Sequence, residues 1–556
     1  MLLRMSLGVR WSKIHCRVDE RNLEALPCPH PSVGSRQRPN VCKTGASPSP
    51  ARLILAAMNP VQACCLPLLF SFATTLSAQE QRRLEFRLTG AENDTVYLAN
   101  YYGNRLFYTD TAMANAKGEV VFAREKGYKA GVYAVVVDGP KYFEFIVNEP
   151  TVRLETKTSD LMGAMVVQKS DENTLFFDYI RFLNARKKEG DSLRTVMDRI
   201  TDPIAKGPAK ARLEQLDGEV KKYQADLVTA HPQSLVTIIV RMSMPVELEK
   251  PRLANGKVDS VAAYYQYRAH FWDHVDLSDE RILNMPVFQN KFEEYIGTVV
   301  PQIPDTINAL ADDLVGKLGP SKELFRFVVH GITYKYETSD IMGMDAVFVH
   351  MAQTYYCPKA GAESKAFWMS AEKLDKLCER ARKNAPIIIG ARAQEIILTD
   401  TTETNWISSH KLPNDYLLVV FWDPHCGHCK KELPAIYSAY RDTLRPMGIE
   451  VMAVAKATDS TLFKDWKAFI RENHLDWVNV GLTPAVYAEA KADPLKYIPK
   501  LTTLQSLNYA DTWDVYATPK FFLLGPDRKI VGKQLNPKQV ADLVERLRER
   551  SAAPKP

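Results

Sequence analysis

The chain has 556 residues, 46% hydrophobic and 25% charged, which is enough for several globular domains and excludes a disordered, collagen-like or multispanning membrane protein. Its formal net charge of +6 comes from residues 1–78, which hold nine Lys and Arg against three Asp and Glu, so residues 79–556 are neutral. A neutral body has no electrostatic attraction to phosphate backbones, and this excludes nucleic acid as a partner.

The first 78 residues predict no folded domain. Residues 1–57 are rich in Arg, Pro and Ser without a regular hydrophobic period, and we interpret them as a non-structural extension upstream of the true reading frame. Residues 58–78 resemble a secretory signal peptide, because an apolar stretch from Ala63 is followed by small residues ending at Ala78, where cleavage is expected. The alternatives are a membrane anchor, which needs a stretch of ~20 residues, and a lipoprotein acylated at Cys64. The expected location is extracytoplasmic, in the periplasm or cell envelope.

Residues 79–168 predict an all-β sandwich domain. Short runs of strand-forming residues with alternating polarity are separated by turn clusters, a spacing that suggests a β-sandwich. Six strands are predicted: LEFRL, TVYLANYY, EVVFA, GVYAVVV, YFEFIV and TVRLET.

Residues 169–385 predict an all-α domain, because the hydrophobic period changes to 3.6 after Ser170. Amphipathic helices are predicted near residues 174–187, 207–229, 234–243, 258–274, 288–299, 304–318, 321–336, 340–356 and 370–383.

Two pairs of residues in the helical domain could carry chemistry. His270 and His274 are four residues apart and could form half a metal site, but a third ligand is missing, so we interpret them as structural or surface residues. Cys357 and Cys378 could form a structural disulfide across the last helical hairpin or remain as two buried free thiols.

Residues 386–556 predict an α/β domain with a partly parallel sheet, since strands and helices alternate to the end. The run YLLVVFW from Tyr416 to Trp422 predicts a central strand buried on both faces, and it leads directly into the tetrad Cys426-Gly427-His428-Cys429. The following residues have a helical period, so Cys426 is expected at a helix N-terminus, where the helix dipole stabilises a thiolate. Two intervening residues allow both sulfurs to cycle between dithiol and disulfide.

Two prolines complete the pattern around the tetrad. Pro434 is expected to kink the helix that follows the cysteines. Thr518-Pro519 stands immediately before the strand that begins at Lys520, a position that suits a cis proline beside the tetrad.

Residues 388–550 resemble a thioredoxin-fold domain of the extracytoplasmic, TlpA-like kind, through the segments FWDPHCGHCKKELP and VYATPKFFLLGPDRKIV. The resemblance implies a redox-active disulfide without a cofactor, in which Cys426 is the attacking thiolate and Cys429 the resolving thiol. It also implies catalytic roles for Glu432 and His428 near the pair. Substrate binding is assigned to Trp422, Thr518 and Pro519. Residues 79–385 resemble the β and helical domains that precede such modules in envelope proteins of unknown function.

The tetrad departs from thioredoxin in two ways. Val420 occupies the position of the buried Asp six residues before the first cysteine, which makes Glu432 the expected substitute proton acceptor. Gly427-His428 replaces Gly-Pro and is the dipeptide of protein disulfide isomerases. A peroxiredoxin would have Thr three residues before its reactive cysteine, where this chain has Asp423.

The sequence therefore predicts an exported thiol-disulfide oxidoreductase that reduces or isomerises disulfides in protein clients. Its expected partners are those clients and a thiol that donates electrons, either membrane-borne or soluble. The β and helical domains are expected to recognise clients or to form a homo-oligomer. The alternatives are a non-catalytic envelope binding protein with a thioredoxin fold, and a zinc or copper site built on the tetrad and its histidines. A second cysteine pair at zinc-site spacing is missing, and metal is therefore not assigned.

Overall fold

The computed structural model describes residues 82–137, 141–249, 251–359 and 362–552. The predicted signal peptide at residues 58–78 lies outside these ranges. Within them, no helix combines the length and the apolar composition needed to cross a lipid bilayer.

The N-terminal region contains two four-stranded sheets that share one core. Its strands are β1 Arg83–Thr89, β2 Thr95–Tyr102, β3 Arg105–Met113, β4 Glu119–Phe122, β5 Gly131–Val136, β6 Tyr142–Val147, β7 Thr151–Lys157 and β8 Val166–Lys169. The strand orders are β4-β1-β7-β8 and β3-β2-β5-β6. All six predicted strands form. The prediction missed β3 and β8 because β3 is largely exposed on both faces and β8 has only four residues, so neither shows a clear alternation of burial.

The middle region is helical, as predicted. Its helices are α1 Asp171–Arg199, α2 Gly207–Ala230, α3 Leu235–Ser243, α4 Ser260–His270, α5 Pro286–Glu294, α6 Pro304–Gly316, α7 Lys322–Glu337, α8 Asp345–Met351 and α9 Ala371–Asn384. Single π-helical turns, Tyr295–Val299 and Ala352–Tyr356, extend α5 and α8. α1 is longer than predicted because its last three turns are mostly polar and solvent-facing, and this removes the amphipathic signal.

The β region and the helices pack against each other through a continuous hydrophobic core. Asn173 in the first turn of α1 fixes the junction: its side chain accepts a hydrogen bond from the Ile146 amide and donates one to the Ile146 carbonyl, each at 2.8 Å. Asn173 is completely buried, so both of these bonds lie away from the surface, where an unpaired amide would be costly.

The C-terminal region is a thioredoxin-like α/β domain, which confirms the predicted fold. Its strands are β9 Ile397–Thr399, β10 Trp406–Ser408, β11 Tyr416–Trp422, β12 Ile449–Lys456, β13 Val478–Leu482, β14 Lys520–Leu524 and β15 Ile530–Lys533. Its helices are α10 Gly427–Ala439, α11 Ser460–Glu472, α12 Pro484–Ala492, α13 Leu504–Leu507, α14 Tyr509–Thr512 and α15 Pro537–Ala552.

One mixed sheet with the order β10-β9-β13-β12-β11-β14-β15 organises this domain. β11 pairs parallel with β12 and antiparallel with β14. All seven residues of β11 are buried because a hydrophobic cluster covers each face of the sheet, as its continuous apolar sequence predicts. Because β11 and β14 run antiparallel, the carboxyl end of β11 lies beside the start of β14.

Candidate functional site

The two cysteines of the tetrad lie where β11 ends and α10 begins. Cys426 is the N-cap of α10, and its sulfur accepts a hydrogen bond from the Cys429 amide at 3.4 Å. Cys426 is half-buried, whereas Cys429 is completely buried in the first turn of the helix. Both are free thiols, so the structure shows the reduced pair, in which the Cys426 sulfur is partly accessible and the Cys429 sulfur is buried.

The environment of Cys426 favours a thiolate. Burial alone raises the pKa of this thiol, but hydrogen bonds from Cys429, from the Thr518 side chain and from the His428 amide outweigh it and hold the pKa below its ordinary value. Amide groups at a helix N-terminus supply such donors without a side chain. Of the two sulfurs, Cys426 is therefore the more accessible one and the one whose thiolate its surroundings stabilise.

Cys429 has the opposite tendency. Burial, together with the neighbouring charge of Cys426, raises the pKa of its thiol to about 11. A protonated Cys429 can donate a hydrogen bond to the Cys426 thiolate and becomes a nucleophile only when a base removes its proton. The two sulfurs therefore differ in reactivity in the order that a mixed-disulfide cycle requires.

Thr518-Pro519 lies directly beside Cys426. The peptide bond between them is cis, as predicted, and the Cys426 sulfur lies 3.3 Å from the Thr518 carbonyl oxygen. This carbonyl belongs to the segment that leads into β14, so strand pairing with β11 sets its position.

The structure corrects the assignment of Trp422 to substrate binding. Its side chain is 1% exposed and packs against Phe469, with the ring centroids 5.1 Å apart. Trp422 supports the end of β11 from inside the core and has no surface for a substrate to touch.

The structure also fails to bring Glu432 to the cysteines. Glu432 is exposed and makes no hydrogen bond to either sulfur or to another described residue, because Cys429, Leu433 and Ile436 occupy the buried face of α10. The proton of Cys429 therefore has no direct path to the Glu432 carboxylate. The His428 ring is likewise exposed, and the contribution of this residue to the Cys426 environment comes through its backbone amide.

Polar contacts that sequence reasoning missed brace the loop before Cys426. The Asp423 carboxylate accepts a hydrogen bond from the His425 amide at 2.8 Å and pairs with Lys456 at 3.2 Å. The His425 ring contacts Asp465 of α11 at 2.8 Å. The Asp423-Pro424-His425 segment could have indicated the turn that Asp423 caps. The contacts with Lys456 and Asp465 depend on tertiary structure and have no local sequence signal.

The remaining sequence candidates lie apart from the tetrad. Cys357 and Cys378 form a disulfide, which selects one of the two alternatives left by the sequence. His270 pairs with Asp273 at 2.7 Å, and the His274 ring faces the Met244 carbonyl at 3.5 Å. Across the described residues, no cluster of three or more His, Cys, Asp or Glu side chains could hold a metal ion.

Two family models match parts of the chain. Residues 389–532 match the AhpC/TSA family, a range that includes the cysteine tetrad and Thr518-Pro519, and residues 245–384 match a domain of unknown function, DUF5106. A search of curated proteins finds no match.

Several solved structures are similar to this chain. A thioredoxin-like protein from Bacteroides caccae is 16% identical over 54% of this chain and 99% of that chain, with a TM-score of 0.36. The thioredoxin domain of a thiol-disulfide oxidoreductase from Bacteroides vulgatus is 24% identical over 29% of this chain and 96% of its own, with a TM-score of 0.22. A domain of a possible thiol-disulfide isomerase from Cytophaga hutchinsonii is 27% identical over 30% and 98%, with a TM-score of 0.24.

Proposed function

We propose that the protein is an exported thiol-disulfide oxidoreductase that acts on disulfides of protein clients through Cys426 and Cys429. The observation that carries the proposal is the asymmetry of the pair: one half-buried sulfur with a lowered pKa and one buried sulfur whose pKa is raised to about 11. A structural cysteine pair needs no such difference, whereas a two-step exchange reaction does.

The reaction balances as a two-electron exchange. The Cys426 thiolate attacks one sulfur of a client disulfide, a mixed disulfide forms, and the second client sulfur leaves as a thiolate that takes up a proton. Cys429 then loses its proton and attacks the Cys426 sulfur, which releases the first client sulfur and leaves the Cys426–Cys429 disulfide. A thiol donor, membrane-borne or soluble, returns two electrons to the pair. In isomerisation a different client thiolate attacks the client sulfur of the mixed disulfide before Cys429 does. A new client disulfide forms, Cys426 leaves as a thiolate, and no net electrons move.

The Thr518 carbonyl gives an extended client segment an acceptor next to the reacting sulfur. It lies 3.3 Å from the Cys426 sulfur, so a client amide hydrogen-bonded to it would place a neighbouring client disulfide within reach of attack. The β and helical regions are proposed to recognise clients or to form a homo-oligomer. The Cys357–Cys378 disulfide supports export, because structural disulfides persist in oxidising compartments.

Catalysed reduction of insulin by dithiothreitol tests the proposed activity. The wild-type protein should accelerate precipitation of the insulin B chain, and Cys426→Ser should return the rate to that of dithiothreitol alone. Recovery of activity from scrambled ribonuclease in a glutathione buffer measures isomerisation separately. Failure of the wild-type protein in both assays would favour a binding protein that uses the fold without the chemistry.

A further inference from the structure

The helical region contacts the thioredoxin-like domain on the side that carries Thr518. We name residues 511–519, which run from the end of α14 to the start of β14, the Thr518 loop. Lys383, in the last turn of α9, donates a hydrogen bond to the hydroxyl of Tyr516 in this loop and lies 3.5 Å from the Asp511 carboxylate. Its ammonium group also lies 5.1 Å from the centroid of the Tyr516 ring. One cation outside the domain thus holds two residues of the Thr518 loop.

A second contact reaches the same loop through the sheet. Asp345, the first residue of α8, pairs with Lys533 at the end of β15 at 2.5 Å, and both side chains are largely buried. The Lys533 amide also lies 3.3 Å from the Met342 sulfur, so backbone and side chain are both held by the helical region. β15 pairs with β14, which begins immediately after Pro519.

Lys520, which is largely buried, connects the Asp345–Lys533 ion pair to the Thr518 loop. Lys520 donates to the Asp514 carbonyl and lies 3.2 Å from the Asp514 carboxylate, with only 17% of its side chain exposed. Burial lowers the pKa of Lys520, and the charge of Lys533 lowers it further while Asp345 raises it. Without the Asp345 carboxylate, the positive charges of Lys520 and Lys533 would lie close together in a partly buried site with less negative charge to balance them. Asp514 has a positive φ of 53°, a conformation that the contact with Lys520 helps to hold.

The two contacting elements of the helical region are themselves joined covalently. The Cys357–Cys378 disulfide links the end of the π-helical turn that extends α8 to the middle of α9, with 5.5 Å between the Cα atoms. Asp345 and Lys383 therefore belong to two helices that cannot separate while this bond is intact.

We propose that Asp345 and Lys383 are positioning residues for Cys426, that they act by fixing the Thr518 loop, and that the Cys357–Cys378 disulfide holds them in register. The inference rests on the proposed function only in taking Cys426 as the reacting sulfur. Loosening the loop withdraws the Thr518 side chain, whose hydrogen bond favours the Cys426 thiolate, and this raises the pKa of Cys426.

The test measures alkylation of Cys426 by iodoacetamide as a function of pH in the full chain with the Cys426–Cys429 pair reduced, using peptide mass spectrometry to read the modified site. Lys383→Met and Asp345→Asn should each raise the apparent pKa by about half a unit, so that alkylation below that pKa slows about threefold. Lys383→Arg, which keeps a donor and a positive charge, should restore most of the wild-type profile. The Cys357→Ala/Cys378→Ala double variant should shift the profile in the same direction.

Lys376→Met is the matched control. Lys376 lies on the same helix and forms an ion pair with Glu372 at 2.6 Å, but both residues are highly exposed and belong to α9. Its profile should coincide with that of the wild type. If Lys383→Met and Asp345→Asn titrate like Lys376→Met while remaining folded by circular dichroism, the inference is wrong. Alkylation requires no client, so a shifted profile in a protein that fails to reduce insulin would overturn the proposed function and leave this inference standing.

Discussion

Replacing His428 separates the contribution of its ring from that of its backbone amide. The ring is exposed, whereas the amide is one of the donors that lower the pKa of Cys426. Proline has no amide hydrogen, so His428→Pro removes this donor, while His428→Ala removes the ring and keeps the donor. The structure thus predicts a large effect for proline and a small one for alanine.

The magnitude follows from one hydrogen bond to a charged sulfur that is partly exposed. Such a bond is worth about 1.5 kcal/mol at the low end of the range for charged groups, and solvent screening reduces it to about 1 kcal/mol here. At about 1.4 kcal/mol per pKa unit, the pKa of Cys426 should rise by about 0.7 units in His428→Pro. Above that pKa the reduced form loses the same free energy relative to the disulfide, so the potential should become more negative by about 20 mV.

Equilibration against glutathione buffers at several pH values, with alkylation and mass analysis, measures both quantities. His428→Ala should stay within about 5 mV of the wild type on this scale. Equal shifts in the two variants would assign the effect to the ring and contradict a role for the amide, as would a proline variant that is more oxidising than the wild type.

Three further predictions follow. Glu432→Gln should leave the exchange rate with glutathione within about twofold between pH 6 and 8, because the exposed carboxylate contacts neither sulfur; a tenfold loss would return Glu432 to the proton path. Phe421→Ala should lower the free energy of unfolding of the thioredoxin-like domain by about 3–5 kcal/mol in urea titrations, since its buried ring packs on Tyr509 and Phe522; a loss below about 1 kcal/mol would contradict this packing. Protein recovered from the envelope of the producing cell should begin at or near Gln79 by N-terminal mass analysis, and a chain that retains Met58 would contradict cleavage of the proposed leader.

Local sequence patterns predicted the elements that position the site. The apolar run of β11, the helical period after Cys429 and the Thr518-Pro519 dipeptide each depend on neighbouring residues, so the strand, the N-cap and the cis bond were all accessible from the sequence. β3 was missed because an edge strand with both faces partly exposed carries no burial pattern.

The phase of α10 explains why Glu432 was assigned a catalytic role that the structure does not support. Cys429 and Leu433 are four residues apart and share the buried face, and Glu432 flanks that face on the solvent side. Distance along the chain suggested proximity, whereas the direction of the side chain decides contact. The contacts of Lys383 and Asp345 with the thioredoxin-like domain could not be found from the sequence at all, because the groups that they contact there lie 128 or more residues away along the chain.

Capture of a mixed disulfide shows which of the two sulfurs attacks a client. Reduced Cys429→Ser and Cys426→Ser proteins are incubated with a peptide that contains one disulfide, quenched in acid and analysed by intact and peptide mass spectrometry. We expect Cys429→Ser to accumulate one peptide adduct on Cys426. We expect Cys426→Ser to accumulate none, because Cys429 is buried and its thiol stays protonated. An adduct on Cys429 in the Cys426→Ser protein, or no adduct in either protein, would contradict the assignment of Cys426 as the attacking sulfur.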